Sequence, residues 1–147
     1  MTNATPSARS AQLETWFREY EADHTDAKTK LTHMVGIPMI VLAMMALLRR
    51  LALGPTNFGL LALVAIVVFF YKHDRKLAWT FGGALFAFYV VSFLVSTKLA
   101  WFLFIVGWGL QFLGHYKYEK RSPAFFKNLL HVLVGPAWIV ARLTGQR

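Results

Sequence analysis

An all-α, integral-membrane bundle of about four transmembrane helices with flanking interfacial helices is the fold class that three observations predict. First, 56% of the 147 residues are hydrophobic and the mean hydropathy is +0.45. Second, the apolar residues fall in long unbroken runs, the pattern of membrane spans and not of amphipathic surface helices. Third, the basic residues sit beside those runs, as membrane anchors do. The net charge of +9 is therefore read as membrane anchoring, with no nucleic-acid partner. The length suits one domain, residues 1–147. The absence of cysteine excludes disulfides, thiolate zinc sites, iron–sulfur clusters and a cysteine nucleophile. Residues 1–30 are polar and mixed in charge, so no cleavable signal peptide is expected.

Taken in order, residues 1–12 are polar and expected to be loose, and residues 13–30 to form an interfacial helix and a bend. In "LETWFREYEA" Leu13, Trp16, Phe17 and Tyr20 stand at i, i+3, i+4 and i+7, one apolar helix face suited to a bilayer surface. Residues 31–116 hold four apolar runs: Leu31–Leu48, Phe58–Tyr71, Leu77–Val95 and Leu99–Tyr116. The second is short. Its 14 residues span ~21 Å at ~1.5 Å each, against a hydrocarbon core of ~30 Å. Pro55 could start that helix earlier, at a favoured first-turn position. Residues 117–147 form a cytoplasmic or interfacial segment. Within it Ala124–Leu143 reads as an interfacial or re-entrant helix kinked near Gly135-Pro136.

With four spans and a cytoplasmic N-terminus, all but three of the 16 lysines and arginines fall on the cytoplasmic side. Only Arg49, Arg50 and Lys98 lie opposite. This positive-inside bias predicts an integral membrane protein with both termini cytoplasmic, in a bacterial inner membrane or the endoplasmic reticulum. All five histidines then lie towards the cytoplasmic face, with His73 in a solvated loop.

The segment "GWGLQFLGHYKYEKRSPAFF" carries Gln111, His115 and Glu119 every four residues. On a helix each is displaced about 40° and ~6 Å from the last. A polar stripe facing lipid is costly, so it should face the bundle interior. His115 and Glu119 could share one metal, as i, i+4 ligands do. The stripe could equally be a structural staple between helices, with Glu119 paired to Lys120 or Arg121. In "HTDAKTKLTHMVGIP" His24 and His33 would lie on opposite faces of one unbroken helix. They converge only if the chain bends, with Thr25 or Asp26 capping a new helix. His33 then reaches the depth of His115. Neutral imidazoles suit iron, copper and zinc, and without thiolates non-haem Fe(II) is a natural candidate.

Together these stretches resemble the small integral-membrane 2-hydroxy fatty acid dioxygenase family, whose fungal prototype acts in fatty acid α-oxidation during phytosphingosine degradation. The family pattern Q-F-x-G-H-x-x-x-E-x-x-x-P-A is present in full as Gln111, Phe112, Gly114, His115, Glu119, Pro123 and Ala124. The earlier pattern H-x-x-P-x-N-x-x-x-H-x-x-G-x-P keeps His24, His33, Gly36 and Pro38 but has Ala27 for Pro and Thr29 for Asn. The resemblance covers residues 13–48 and 105–142. It implies Fe(II), with O2 and a 2-hydroxy fatty acid as substrates and a fatty acid one carbon shorter as product. It implies His24, His33 and His115 as iron ligands. His131 is carried as a further candidate ligand of open role, and Gln111 and Glu119 as catalytic candidates. Two other readings stay open: a haem-binding electron-transfer bundle with His33 and His115 as axial ligands, and a non-enzymatic membrane scaffold or transporter.

Overall fold

The computed structural model describes residues 9–147. Of the segment expected to be loose, residues 1–8 lie outside the described residues, and Arg9 and Ser10 are tied down. Ser10 caps helix α1 (Ala11–Ala22), its hydroxyl accepting from the Leu13 N–H. Arg9 donates to Asp74 at 3.1 Å. Helix α2 (Ala27–Leu48) is capped by Asp26, so the expected bend between His24 and His33 is present.

A two-stranded hairpin, β1 (Ala52–Leu53) and β2 (Thr56–Asn57), then turns the chain into α3 (Phe58–Tyr71). The earlier start at Pro55 is not taken. Pro55 lies in the hairpin turn beside Gly54 at φ +57, and Asn57 caps α3 by accepting from the Leu60 N–H at 3.0 Å. Helix α4 (Arg75–Val91) runs into a 3-10 turn, and α5 (Thr97–Leu113) into a π-helical turn, Gly114–Glu119. Helix α6 (His131–Leu143) contains Pro136.

Among the described residues three helical stretches are long and apolar enough to cross a membrane: Ala27–Leu48, Arg75–Leu94 and Thr97–Glu119. Helix α3 has the 14 residues expected of the second run and is shorter than that. It nevertheless joins the two ends of the bundle. Its start lies against Arg49, and just past its end the Ser10 N–H donates to the His73 carbonyl at 2.7 Å. Leu94, Trp79 and Ile105 are 87%, 68% and 67% exposed, as side chains facing lipid would be.

Helix α2 packs mainly on α5 and α3 on α4, with α6 against α1 and α4. The apolar face of α1 is the one expected, and Leu13, Trp16, Phe17 and Tyr20 are all buried. Protein covers it, in place of the expected bilayer surface: Trp16 stacks on Phe69 at 5.9 Å and Tyr20 lies 5.3 Å from Trp138. His73, expected in a solvated loop, is half-buried, with Nδ1 2.9 Å from the Ser10 hydroxyl and its ring edge-on to Trp16.

Arg147 closes this layer over α1. It donates two hydrogen bonds of 2.8 Å to Glu21 and one of 2.5 Å to Glu14. Those bonds hold both carboxyls below the usual carboxylate range. A carboxyl lowered on folding adds stability above its unfolded pKa, and that stability is lost as pH falls through the folded value. Melting curves of Arg147→Ala are therefore expected to show a lower Tm at neutral pH. The gap to wild type should narrow as acid protonates Glu14 and Glu21. A gap independent of pH would mean that Arg147 acts through packing on Phe17 alone.

Candidate metal centre

Three histidines from three places in the chain meet at one end of the bundle. His24 follows the last turn of α1, His33 lies in the second turn of α2, and His115 lies in the π-helical turn after α5. All three are buried, at 3%, 4% and 3% exposure. Their ring centroids are 4.5–4.8 Å apart, and one ligand atom from each lies within 4.8 Å of the others.

Backbone carbonyls fix which nitrogen of two rings faces inward. The Nδ1–H of His24 donates to the Tyr20 carbonyl at 2.5 Å, and that of His33 to the Thr29 carbonyl at 2.9 Å. A carbonyl only accepts, so the proton sits on Nδ1 and the Nε2 lone pair is left free. This outer hydrogen bond is the usual device for orienting a metal-bound imidazole. The Nε2 atoms of His33 and His115 stand 3.1 Å apart. Two nitrogens each ~2 Å from one ion, in neighbouring positions, stand about 3 Å apart. Axial haem ligands on opposite sides would be separated by ~4 Å on the same bond lengths, so the pair suits one shared ion better than a haem.

Among the described residues His24 Nε2, His115 Nδ1 and Gln111 Nε2 are buried without a hydrogen-bond partner. Each such atom costs about 1–3 kcal/mol if nothing binds it. All three residues line one cavity, and the free Nε2 of His24 is a lone pair that a cation would take up. Burial pushes His24 down to about 4, so its ring is neutral at physiological pH, as a metal ligand must be.

The surroundings hold the rings in place. Tyr20 stacks on His24 at 4.0 Å. The buried Thr29 hydroxyl donates to the Gly114 carbonyl at 3.1 Å, joining α2 to the turn that carries His115. A Cβ on Gly114 would stand 2.5 Å from the Thr32 hydroxyl and 3.1 Å from the His33 ring. Deeper along the same helix pair, Gly36 and Gly107 let the backbones of α2 and α5 touch. A Cβ on Gly36 would lie 2.8 Å from the Gly107 carbonyl oxygen. Small residues at such a crossing are the usual means of close helix approach in membranes.

Glu119 stands differently from its regular-helix expectation. The π-helical turn holds more residues per turn than an α-helix and carries Glu119 round to the bend after His24. There its carboxylate accepts from the Asp26 N–H at 2.7 Å and the Thr25 hydroxyl at 2.9 Å, and it is not part of the three-residue ligand group. Gln111 is buried beside Gly36 and lines the same cavity as the histidines. His131 is 7% exposed and lines that cavity too. Its Nε2 lies 3.4 Å from the Glu19 carboxylate, and it stands outside the group of three. Tyr20 and Thr29 were missed by sequence reasoning, because what they give the site is partly a main-chain carbonyl.

A cavity of about 210 Å³ opens from the three rings into the bundle. Its polar lining is gathered at the histidine end, and the rest is aliphatic and aromatic.

Fold and site together define the class: a helical bundle of membrane type with a buried three-histidine centre that could hold a metal ion. The chain belongs to the Mpo1-like family, since the family model described as "2-hydroxy-palmitic acid dioxygenase Mpo1-like" matches residues 10–147. It is similar to the 2-hydroxy-palmitic acid dioxygenase MPO1 of Saccharomyces cerevisiae, at 27% identity over 120 residues, covering 78% of this chain and 69% of that protein. No solved structure matches.

Proposed function

We propose that the protein is an iron(II)-dependent dioxygenase that uses O2 to convert a 2-hydroxy fatty acid to the fatty acid one carbon shorter. The observation that carries the metal reading is the pair of Nδ1–H···O=C bonds that turn His24 and His33 inward onto His115. The reaction class rests on the family and on the name of the yeast relative. Imidazoles alone accept several divalent ions. A dioxygenase needs one that exchanges electrons, which favours iron over redox-inert zinc. When bound, iron(II) would supply the electron exchange with O2 that no side chain here offers. The reaction balances without an outside reductant: 2-hydroxy acid plus O2 gives the shortened acid, carbon dioxide and water.

The protein's own groups have distinct tasks on this reading. His24, His33 and His115 hold the ion. The Tyr20 and Thr29 carbonyls orient two of the rings. Gln111, with its amide buried at the cavity wall, offers a hydrogen bond to the substrate head. Glu119 fixes the bend that presents His24, and His131 is a candidate for a further ligand or a head-group contact. Oxygen uptake with 2-hydroxypalmitic acid tests the assignment. Uptake should depend on added iron(II), with pentadecanoic acid as product; uptake without that product would overturn it.

Glu119→Gln is expected to lower iron affinity or turnover about tenfold, within the ~10–100-fold range typical of outer-shell partners. The Thr25 hydroxyl and the Asp26 N–H each use a different carboxylate oxygen, and glutamine keeps only one accepting oxygen and no charge. Normal turnover with a lowered Tm would make Glu119 purely structural.

Orientation follows from charge. Arg9 donates to the Gln146 carbonyl at 2.9 Å, so both ends of the described chain share one end of the bundle. The basic bias supports a cytoplasmic location for that end. A reporter active only outside the cytoplasm, fused after Arg147, should stay silent; activity would reverse the topology.

A further inference from the structure

The cavity is polar at one end only. Beyond the histidines its walls are apolar, and the lining reaches Leu48 on α2 and Ala62 on α3. That end is fixed by the chain path: Gly59, one turn before Ala62, lies against the Arg49 backbone, the residue after Leu48. His33 and Leu48 both line the cavity, and their separation along α2 amounts to about 22 Å at 1.5 Å per residue. One leaflet of a bilayer, half of a ~30 Å core, is filled by a single lipid tail. The slot is thus longer than a disordered tail needs and suits an extended one. Its shape calls for a ligand with one polar head and one unbranched apolar tail. Met44 and Met45 line it near the far end, and unbranched thioether side chains adapt readily to a flexible chain.

We infer that this slot measures the acyl chain, with Ala62 and Leu48 as the stop that sets substrate length. The inference rests on the proposed function for its head group, and adds that length is read inside the protein and not by the surrounding lipid. Each further buried methylene is worth about fourfold in affinity. Filling the stop should therefore cost a long acid heavily and a short one little.

The experiment uses the full chain in detergent with 2-hydroxydecanoic, 2-hydroxypalmitic and 2-hydroxytetracosanoic acids. Affinities come from the rise in Tm with ligand concentration, and oxygen uptake is recorded separately. Ala62→Phe is expected to reduce the preference for the palmitic over the decanoic acid at least tenfold. Leu48→Ala is expected to raise the preference for the tetracosanoic over the palmitic acid about threefold or more, and it decides the matter if Ala62→Phe fails to fold. Preferences unmoved by these variants overturn the slot, even where oxygen uptake is normal. Length-ordered binding that the variants shift, without any oxygen uptake, leaves the slot standing and overturns the proposed reaction.

Discussion

Replacing His33 by alanine is expected to strip the purified protein of iron, lowering its content at least tenfold, and to abolish oxygen uptake. His33 is the ring that both neighbours face, with centroids 4.5 Å from His24 and 4.8 Å from His115. Its loss leaves two of the three clustered imidazoles, and Glu119 is already engaged by Thr25 and Asp26. His24→Ala and His115→Ala should behave alike. His73→Ala should keep its iron, since that ring is held by Ser10 and Trp16 and is not among the three. Iron measured by atomic spectroscopy on folded protein gives the answer, and full content in the His33 variant would sink the three-histidine assignment. His131→Ala separates two roles: loss of iron makes it a further ligand, and retained iron with weaker binding of substrate places it at the head group.

The second large effect is expected from one methyl group. Gly36→Ala puts a Cβ 2.8 Å from the Gly107 carbonyl oxygen and 3.1 Å from the Leu110 Cβ. A main-chain oxygen cannot swing away, so α2 and α5 must part. Overpacking of this kind typically costs about 1–3 kcal/mol. The separation of His33 and His115 is set by the same two helices, so iron should be lost along with several degrees of Tm. Gly109→Ala is the matched control: it lies on the exposed side of α5 with nothing within 4 Å of the added Cβ. There alanine should hold or raise Tm, because it is the better helix former. If both variants melt alike and keep iron, the close crossing does not set the site.

The histidines were readable because a membrane makes polar residues expensive. Gln111 and His115 have no reason to interrupt an apolar run unless they face inward, and they do. The bend between His24 and His33 was readable from Asp26, a residue whose side chain caps helices. The direction of Glu119 was not, since regular-helix spacing says nothing of a π-helical turn, and nothing local announces one. The carbonyls of Tyr20 and Thr29 were illegible for a plainer reason: every residue has one, so no letter marks those that orient a ring. The covering of α1 was hidden too, because lipid and protein ask for the same apolar face. Only the path of the chain back through α6 to Arg147 decides between them.

The distance along the chain between His33 and His115, 82 residues, bears on how the protein is made. His24 and His33 leave the ribosome early and form, by themselves, only a two-nitrogen site. The third nitrogen arrives after α3 and α4 have been built and α5 has run back alongside α2. The entropy cost of closing such a loop grows only slowly, by about 0.6 kcal/mol for each doubling of length, so a partner this late adds little over a nearer one. On the proposed metal reading, capture by all three rings would therefore act as a checkpoint of biogenesis, passed only by chains in which α5 has paired with α2.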